Sequence, residues 1–258
     1  MNKKQINLVK TSAKNIIQFS HFIKILTDHG LDKFKPYKYQ RDLLRKFVET
    51  GKLEYTGKRN HIIIGPRQCG KTTAIAIYIL WYMIFNTDKN IALVTSKVDM
   101  GVEILARIKE MYAMLPDFIR PTVIKNTKEI FKFENRTAVL VISSHSNSIH
   151  GRSIDLMVID EAAYITKSVF EDFIRSVFPT QASRPNAQMI LISTPHGIDH
   201  GFYEIWTRAL EGRNSFIPTK IKWNCAPGRD NEWKERIIRN YGQAFFDQEY
   251  ACEFIGSN

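Results

Sequence analysis

The sequence predicts an α/β fold in which a predominantly parallel sheet is flanked by helices. Residues 62–64, 91–95 and 156–159 are continuous apolar runs, which is typical of parallel strands buried on both faces. Between two of these runs, residues 98–114 repeat their apolar positions with the period of an amphipathic helix. Strands that alternate with helices in this way indicate a covered parallel sheet.

A glycine-rich loop follows the first of these strands. The residues from Gly65 to Thr72 fit the pattern Gly-x-x-x-x-Gly-Lys-Thr, and the apolar residues 74–85 behind them predict a helix. Such a loop turns its backbone N–H groups around a phosphate at the positive end of a helix. Lys71 would reach the β- and γ-phosphates and the Thr72 hydroxyl would bind Mg²⁺. The expected nucleotide-binding residues of the loop are Gly65, Pro66, Arg67, Gln68, Cys69, Gly70, Lys71, Thr72 and Thr73. These features predict a P-loop NTPase of the ASCE or RecA-like type, with ATP and Mg²⁺ as cofactors.

Two carboxylates end the buried strand at residues 156–159. Asp160 and Glu161 would therefore lie at the carboxyl edge of the sheet, where ligands of open α/β folds bind. We expect Asp160 to hold Mg²⁺, usually through water, and Glu161 to activate the attacking water. A phosphate loop combined with an apolar strand ending in Asp-Glu is the signature of an NTPase that hydrolyses its nucleotide.

Two other places could bind or sense the nucleotide. Gln40 precedes the phosphate loop by about two dozen residues, and its amide could read an adenine edge while Tyr39 or Tyr37 contacts the ring. An ordinary glutamine at a helix start is the alternative. Ser193 and Thr194 follow the predicted strand 188–192 and could couple hydrolysis to a neighbouring element. Their alternative is a polar turn.

The remaining elements are predicted from periodicity and from proline, glycine and asparagine signals. Helices are expected at residues 12–29, 40–49, 201–211 and 230–240, strands at 122–124, 129–133, 138–142 and 216–223, and an amphipathic tail at 245–250. We divide the chain into an N-terminal helical segment with the glutamine motif (1–50), an ATPase core (51–222) and a lid or linker region (223–258).

Composition limits the class of protein. The net charge is +11, and residues 1–60 hold 14 Lys and Arg against 5 Asp and Glu, which suggests a polyanionic partner such as nucleic acid or else a solvated lysine-rich surface. Three cysteines without CxxC spacing predict a reducing compartment without disulfides or zinc. The longest apolar run is too short to span a bilayer, and no signal peptide precedes it. We expect a cytosolic protein with no membrane contact.

The chain resembles the ATPase domain of the large terminases of tailed bacteriophages and herpesvirus-type viruses. The resemblance covers about residues 39–256. Its matching features are Tyr39-Gln40, the loop Pro66-Arg67-Gln68-Cys69-Gly70-Lys71-Thr72-Thr73, Leu115-Pro116, Gly151, Ser153, Asp160-Glu161-Ala162-Ala163, Ser193-Thr194-Pro195 and Gln248-Glu249-Tyr250. The Arg-Gln pair inside the loop is the most specific of these.

The resemblance implies an ATP-driven motor that packages double-stranded DNA into procapsids. It implies a ring of subunits, expected to be a pentamer, docked on the portal protein in the host cytoplasm, together with a small terminase subunit. It also implies a ribonuclease-H-like nuclease domain. No acidic strand cluster follows residue 200, so we expect this chain to be the motor part of a longer protein without nuclease activity.

One position departs from the family pattern. Large terminases usually carry Arg-Gly ahead of the acidic strand, and that arginine is a candidate transition-state finger. Here the pair is His150-Gly151, with Arg152 next in the chain. A mostly neutral imidazole is a poor substitute for guanidinium. We therefore expect Arg152 to act on a neighbouring subunit and Arg67 to act within its own, with pairing of Arg152 to Asp155 as the alternative.

Other functions fit less well. A helicase or related translocase shares the glutamine, the phosphate loop and the Asp-Glu pair, but it requires a second sheet domain with its own arginine motif. A GTPase would carry an Asn-Lys-x-Asp guanine reader, which the sequence lacks. A nucleotide-gated clamp without hydrolysis would be expected to have lost Lys71 or Glu161.

Overall fold

The computed structural model describes residues 1–27, 30–52, 58–145, 153–182 and 186–256. One eight-stranded sheet forms the centre of the described structure. Its strands are β3 (Asn60–Ile64), β4 (Asn90–Thr95), β5 (Val123–Asn126), β6 (Ile130–Phe133), β7 (Ala138–Ser143), β8 (Leu156–Asp160), β9 (Gln188–Ser193) and β10 (Phe216–Lys220). Their order in the sheet is β10-β3-β9-β8-β4-β7-β6-β5. Six neighbouring strands from β10 to β7 are parallel, whereas β6 and β5 continue the sheet in antiparallel pairing.

Helices cover both faces of this sheet. The α-helices after residue 37 are α3 (Lys38–Gly51), α4 (Lys71–Phe85), α5 (Val98–Ala113), α6 (Lys167–Ala182), α7 (Gly201–Leu210), α8 (Asn231–Tyr241) and α9 (Gln243–Glu249), of which α8 and α9 pack on each other. Because side chains alternate along a strand, Ile63 packs with α4 and α5 on one face, while Ile62 and Ile64 pack with α6 and α7 on the other. The predicted α/β class with a predominantly parallel sheet is confirmed.

The segment before the sheet differs from its prediction. A single helix over residues 12–29 is wrong: the segment contains α1 (Lys3–Lys14), α2 (Ile16–Ser20) and the strand β1 (Lys24–Thr27), which pairs antiparallel with β2 (Gly30–Lys33). The side chain of Asn15 explains the break, because it accepts hydrogen bonds from the backbone N–H groups of Ile17 and Gln18 and so caps a new helix.

The helix behind the phosphate loop is buried on nearly every side. All residues from Ala74 to Trp81 are buried, which suits a central helix that packs between α3, α5 and the sheet. Within the described part of the chain, none of the helices combines the length and the hydropathy that a membrane span requires.

Candidate nucleotide site at the carboxyl edge of the sheet

The predicted site residues follow three adjacent strands. β9 lies between β3 and β8, so the loop after β3, the carboxylates at the end of β8 and the hydroxyls at the end of β9 meet at one edge. The Gly65 N–H donates to the carbonyl of Ser193 at 3.1 Å, which fixes the start of the loop against β9. Parallel strand order thus brings together groups that lie as far apart in the sequence as Gly65 and Ser193.

The phosphate loop ends at a glycine in the left-handed region. Gly70 has φ of 86°, and a Cβ atom added to it would lie 2.7 Å from Nε2 of Gln40. Helix α4 begins at the next residue, so its free N–H groups point into the loop. The buried Lys71 ammonium donates to the carbonyls of Gly65 and Pro66 at 2.9 and 2.8 Å. The lysine is therefore held inside the concave side of the loop, where a phosphate would bind.

A hydroxyl and a carboxylate meet beside the loop. Thr72 Oγ1 donates to Asp160 Oδ2 at 3.3 Å, and Asp160 is buried. Burial, together with the neighbouring charge of Glu161, raises the pKa of Asp160 to about 6. Hydroxyl, carboxylate and water oxygens are the ligands that Mg²⁺ prefers. The oxygens of Thr72 and Asp160 therefore fit the Mg²⁺ site predicted from the sequence.

Glu161 follows Asp160 and has an unusual backbone conformation. Its φ and ψ of 48° and 43° place it in the left-handed region, which turns the chain sharply after β8. The Ser193 hydroxyl donates to Glu161 Oε2 at 3.4 Å and accepts from the N–H of Ala163 at 3.2 Å. Thr194 Oγ1 donates to the carbonyl of Gly65 at 3.2 Å. Ser193 and Thr194 thus connect the carboxylate to the phosphate loop, as a coupling role would require.

The N-terminal segment holds the phosphate loop through neutral groups, which we call the neutral attachment. The Tyr39 hydroxyl donates to the carbonyl of Cys69, and Gln40 Nε2 donates to the carbonyl of Gly70 at 3.0 Å. Gln40 Oε1 accepts from the backbone N–H of Tyr37 at 2.8 Å, and the Gln40 side chain is buried. Both ends of this amide bind backbone groups, and its role as an adenine reader stays a prediction.

The C-terminal segment holds the same loop through charged groups, which we call the charged attachment. Arg67 pairs with Glu249 and also donates to the Tyr164 hydroxyl at 3.1 Å. Arg229 Nη2 donates to the carbonyls of Arg67 and Gln68 at 2.7 and 3.2 Å. The rings of Trp233 and Tyr250 cover the Arg229 guanidinium, with centroids 5.1 and 5.3 Å away.

A cavity of 410 Å³ lies inside these contacts. Residues 67–73 and Glu161 line it, together with Arg107 from α5. Sequence reasoning missed Arg107, Tyr164 and Arg229, because no spacing rule links them to a loop that is distant from them in the chain. An arginine at a regular position of an amphipathic helix gives no signal of its own. The cavity therefore contains one cationic side chain, Arg107, that only the structure assigns to the site.

The predicted trans finger is Arg152. Arg152, His150 and Gly151 lie outside the described residues, so the assignment of Arg152 stays a prediction. Its alternative partner, Asp155, forms an ion pair with Lys89 at 3.2 Å and accepts from the backbone N–H of Asn90 at 2.9 Å.

Comparison with known proteins identifies related sequences and folds. A family model described as terminase large subunit, T4likevirus-type, N-terminal, matches residues 62–258. A mutant ATPase domain of the Thermus phage P74-26 large terminase is 20% identical, with a TM-score of 0.68 over 86% of this chain and 95% of that one. The HK97 bacteriophage large terminase is 15% identical, with a TM-score of 0.75 over 94% of this chain and 55% of that one.

A third solved structure contains a nucleotide analogue. The large terminase from a thermophilic bacteriophage in complex with ATP-gamma-S is 18% identical, with a TM-score of 0.65 over 85% of this chain and 53% of that one. This chain thus spans about half the length of that terminase and of the HK97 protein. At these identities the structural similarity establishes a shared fold.

Proposed function

The chain belongs to the terminase large-subunit family of T4likevirus type, matched over the N-terminal portion of that subunit, and we propose that it hydrolyses ATP to drive double-stranded DNA into viral procapsids. The family match confirms the resemblance read from the sequence and favours a packaging motor over a helicase. The observation that carries the proposed activity is that Lys71, Thr72 and Glu161 line one cavity, while Asp160 accepts a hydrogen bond from Thr72 beside it. The terminase from the thermophilic bacteriophage, which shares the fold, is described in complex with ATP-gamma-S.

The first step of the proposed mechanism is binding of the triphosphate. The loop N–H groups and the positive end of α4 bind the phosphates, and Lys71 exchanges its hydrogen bonds with the loop carbonyls for bonds to phosphate oxygens. Thr72 and Asp160 would hold Mg²⁺, which neutralises phosphate charge when it is bound.

The second step is attack by water on the γ-phosphorus, which forms a bond to the water oxygen and breaks the bond to the oxygen that bridges the β- and γ-phosphates, so that ADP leaves. Glu161 accepts the proton of that water, and Ser193 orients the carboxylate through its hydrogen bond. Arg67 acts within its own subunit after release from Glu249. Arg152 acts on a neighbouring subunit, so the isolated chain should hydrolyse ATP slowly; an arginine finger contributes on the order of 10³–10⁵ in rate.

The third step is transmission of hydrolysis to the DNA. Thr194 contacts both the Gly65 carbonyl and Lys71, so loss of the γ-phosphate changes its surroundings directly. The proposed partners are double-stranded DNA, the portal protein, the small terminase subunit and further copies of this chain in a ring, expected to be a pentamer, in the host cytoplasm. Contacts to the DNA should be to phosphates and therefore salt-sensitive and independent of sequence.

The proposed activity is tested by Glu161→Gln. This variant removes the base and keeps the phosphate loop, so ATPase turnover should fall by roughly 10²–10⁴-fold while ATP binding persists. The measurements are steady-state phosphate release and equilibrium titration with ATP. Glu129→Gln, at an exposed glutamate between β5 and β6, is the matched control and should hydrolyse ATP at the parent rate. Parent-level turnover in Glu161→Gln would contradict the assignment.

A further inference from the structure

Tyr164 lies beside the phosphate loop without lining the phosphate cavity. It ends the short 3₁₀ turn Ala162–Tyr164 that follows Glu161, and its backbone N–H donates to the Glu161 carbonyl at 2.9 Å. Its hydroxyl accepts a hydrogen bond from Arg67 Nη2 at 3.1 Å, and the Arg67 Cζ atom lies 5.5 Å from the centroid of the tyrosine ring. Tyr164 therefore reaches the nucleotide site through Arg67, which lines the cavity.

Neighbouring contacts fix the place of this hydroxyl. The rings of Tyr164 and His196 are stacked, with centroids 4.6 Å apart and an angle of 23° between their planes. The residue before Tyr164, Ala163, donates its N–H to the Ser193 hydroxyl at 3.2 Å. Ser193 ends β9 and His196 lies three residues later. The end of β9 and the segment after it thus hold both the turn and the ring of Tyr164.

The two partners of Arg67 differ in charge. Glu249 is an anion, so a γ-phosphate competes with it directly for the guanidinium. The Tyr164 hydroxyl is neutral at pH 7, and burial raises the pKa of Tyr164 further above its ordinary value. A single acceptor of this kind occupies one N–H of the guanidinium and leaves other N–H groups for phosphate oxygens. The bond to Tyr164 can therefore persist while the bond to Glu249 is exchanged.

We propose that Tyr164 is a positioning residue that holds the Arg67 guanidinium toward the γ-phosphate of the bound nucleotide after Glu249 releases it. This inference rests on the proposed function, in which Arg67 acts within its own subunit. The backbone bond between Tyr164 and Glu161 keeps the arginine near the group that activates the water. Tyr164 then affects the binding of ATP but not of ADP, because only ATP carries the phosphate that Arg67 contacts.

Equilibrium titration with ATP and ADP tests this role, in a Glu161→Gln background that keeps ATP intact. Tyr164→Phe removes the hydroxyl and keeps the ring, so the affinity for ATP should fall about threefold to tenfold, as expected for one hydrogen bond. The affinity for ADP should stay at the parent value. Tyr203→Phe, at a half-buried tyrosine on α7, is the matched control and should change neither affinity.

Double variants show whether the effect passes through Arg67. In Arg67→Gln, the loss of ATP affinity caused by Tyr164→Phe should disappear, because no guanidinium remains to be held. In Glu249→Gln, the same loss should persist, because the bond between Arg67 and Tyr164 does not involve the carboxylate.

Each other outcome contradicts the proposal at a different point. Unchanged ATP affinity in Tyr164→Phe overturns the positioning role and leaves the ATPase proposal standing. Equal loss of ATP and ADP also overturns it, because Tyr164 would then support the loop as a whole. An undiminished loss in Arg67→Gln, or a loss that vanishes in Glu249→Gln, overturns it as well. A parent chain that binds neither nucleotide overturns the proposed function itself.

Discussion

The phosphate loop is held from two sides by chemically different contacts. In the neutral attachment, Tyr39 and Gln40 donate hydrogen bonds to the carbonyls of Cys69 and Gly70. In the charged attachment, Glu249 pairs with Arg67 and Arg229 donates to two loop carbonyls. Gln40 is buried, whereas the Arg67 side chain is 54% exposed.

The difference in charge suggests different roles: one attachment supports the loop, whereas the other responds to a ligand bound in it. A neutral buried amide gains or loses little when an anion arrives nearby. An arginine paired with a carboxylate has an alternative partner as soon as a γ-phosphate enters, because guanidinium binds phosphate in the same forked geometry. We therefore expect the neutral attachment to set stability and the charged attachment to respond to nucleotide and salt.

A fall in pH should produce the largest change in stability. It acts on a histidine that is hydrogen-bonded to α3, the helix that carries the neutral attachment. His61 in β3 forms a hydrogen bond of 2.8 Å with Thr50 of α3. Burial lowers the pKa of His61 to about 3, so between that value and the ordinary value of 6.5 the unfolded chain binds the proton more strongly. The protein therefore loses stability as the pH falls below 6.5. At pH 5, His61 should lower the free energy of unfolding by about 2 kcal/mol.

Denaturant unfolding at pH 7 and pH 5 measures this contribution. The parent should lose about 2 kcal/mol more than His61→Gln over that interval, since the variant has no imidazole to protonate. His145→Gln, at an exposed histidine, should follow the parent. If the free energy of unfolding fell equally in the parent and in His61→Gln between pH 7 and pH 5, protonation of His61 would not destabilise the fold.

Gln40→Ala should produce the next largest effect. The variant loses the bonds to the Gly70 carbonyl and the Tyr37 N–H, so the free energy of unfolding should fall by about 1–2 kcal/mol. Thermal or denaturant unfolding measures this loss at low and high salt, and it should be the same at both. Gln243→Ala, at an exposed glutamine on α9, is the control and should lie close to the parent. A strong salt dependence of the Gln40→Ala loss would break the distinction between the two attachments.

Glu249→Gln should produce the smallest change in stability. An ion pair with a half-exposed arginine contributes less than about 1 kcal/mol, and added salt should reduce that contribution. The variant should nevertheless bind ATP about threefold more tightly, because Arg67 no longer exchanges one anion for another. Glu253→Gln breaks the pair with Lys220 away from the loop and serves as the control in the ATP titration. Weaker ATP binding in Glu249→Gln would show that Glu249 positions Arg67 for the nucleotide.

Most of the sheet could be predicted because its strands carry a local signal. The runs at 62–64, 91–95, 156–159 and 188–192 are buried on both faces, so nearly every position in them is apolar. Such a run can be recognised in the sequence without knowing its partners in the sheet. Residues 16–27 do not carry such a signal, because a short helix and a short strand both contain closely spaced apolar residues there, as one longer helix would. The Asn15 cap starts a new helix in this segment, and the spacing of apolar residues does not reveal such a cap.

The residues of the candidate site also divide into those with a local sequence signal and those without one. Lys71, Thr72, Asp160 and Glu161 belong to contiguous motifs and could be placed from the sequence alone. Arg229 and Arg107 contact or face the loop through tertiary folding, and their local sequence does not distinguish them from surface arginines. The domain limits at residues 50 and 222 and the roles of Arg152 and Gln40 stay predictions.

The pairing of Arg67 with Glu249 also has a mechanical consequence. Residues 250–256 follow Glu249 directly, so tension along this stretch of backbone reaches the phosphate loop within a few residues. The same stretch is tied to β10 by the pair between Glu253 and Lys220 at 2.7 Å. A load applied beyond α9 is therefore divided between β10 at the edge of the sheet and the phosphate loop. Tension on residues 250–256 should therefore weaken nucleotide binding, and bound nucleotide should resist that tension.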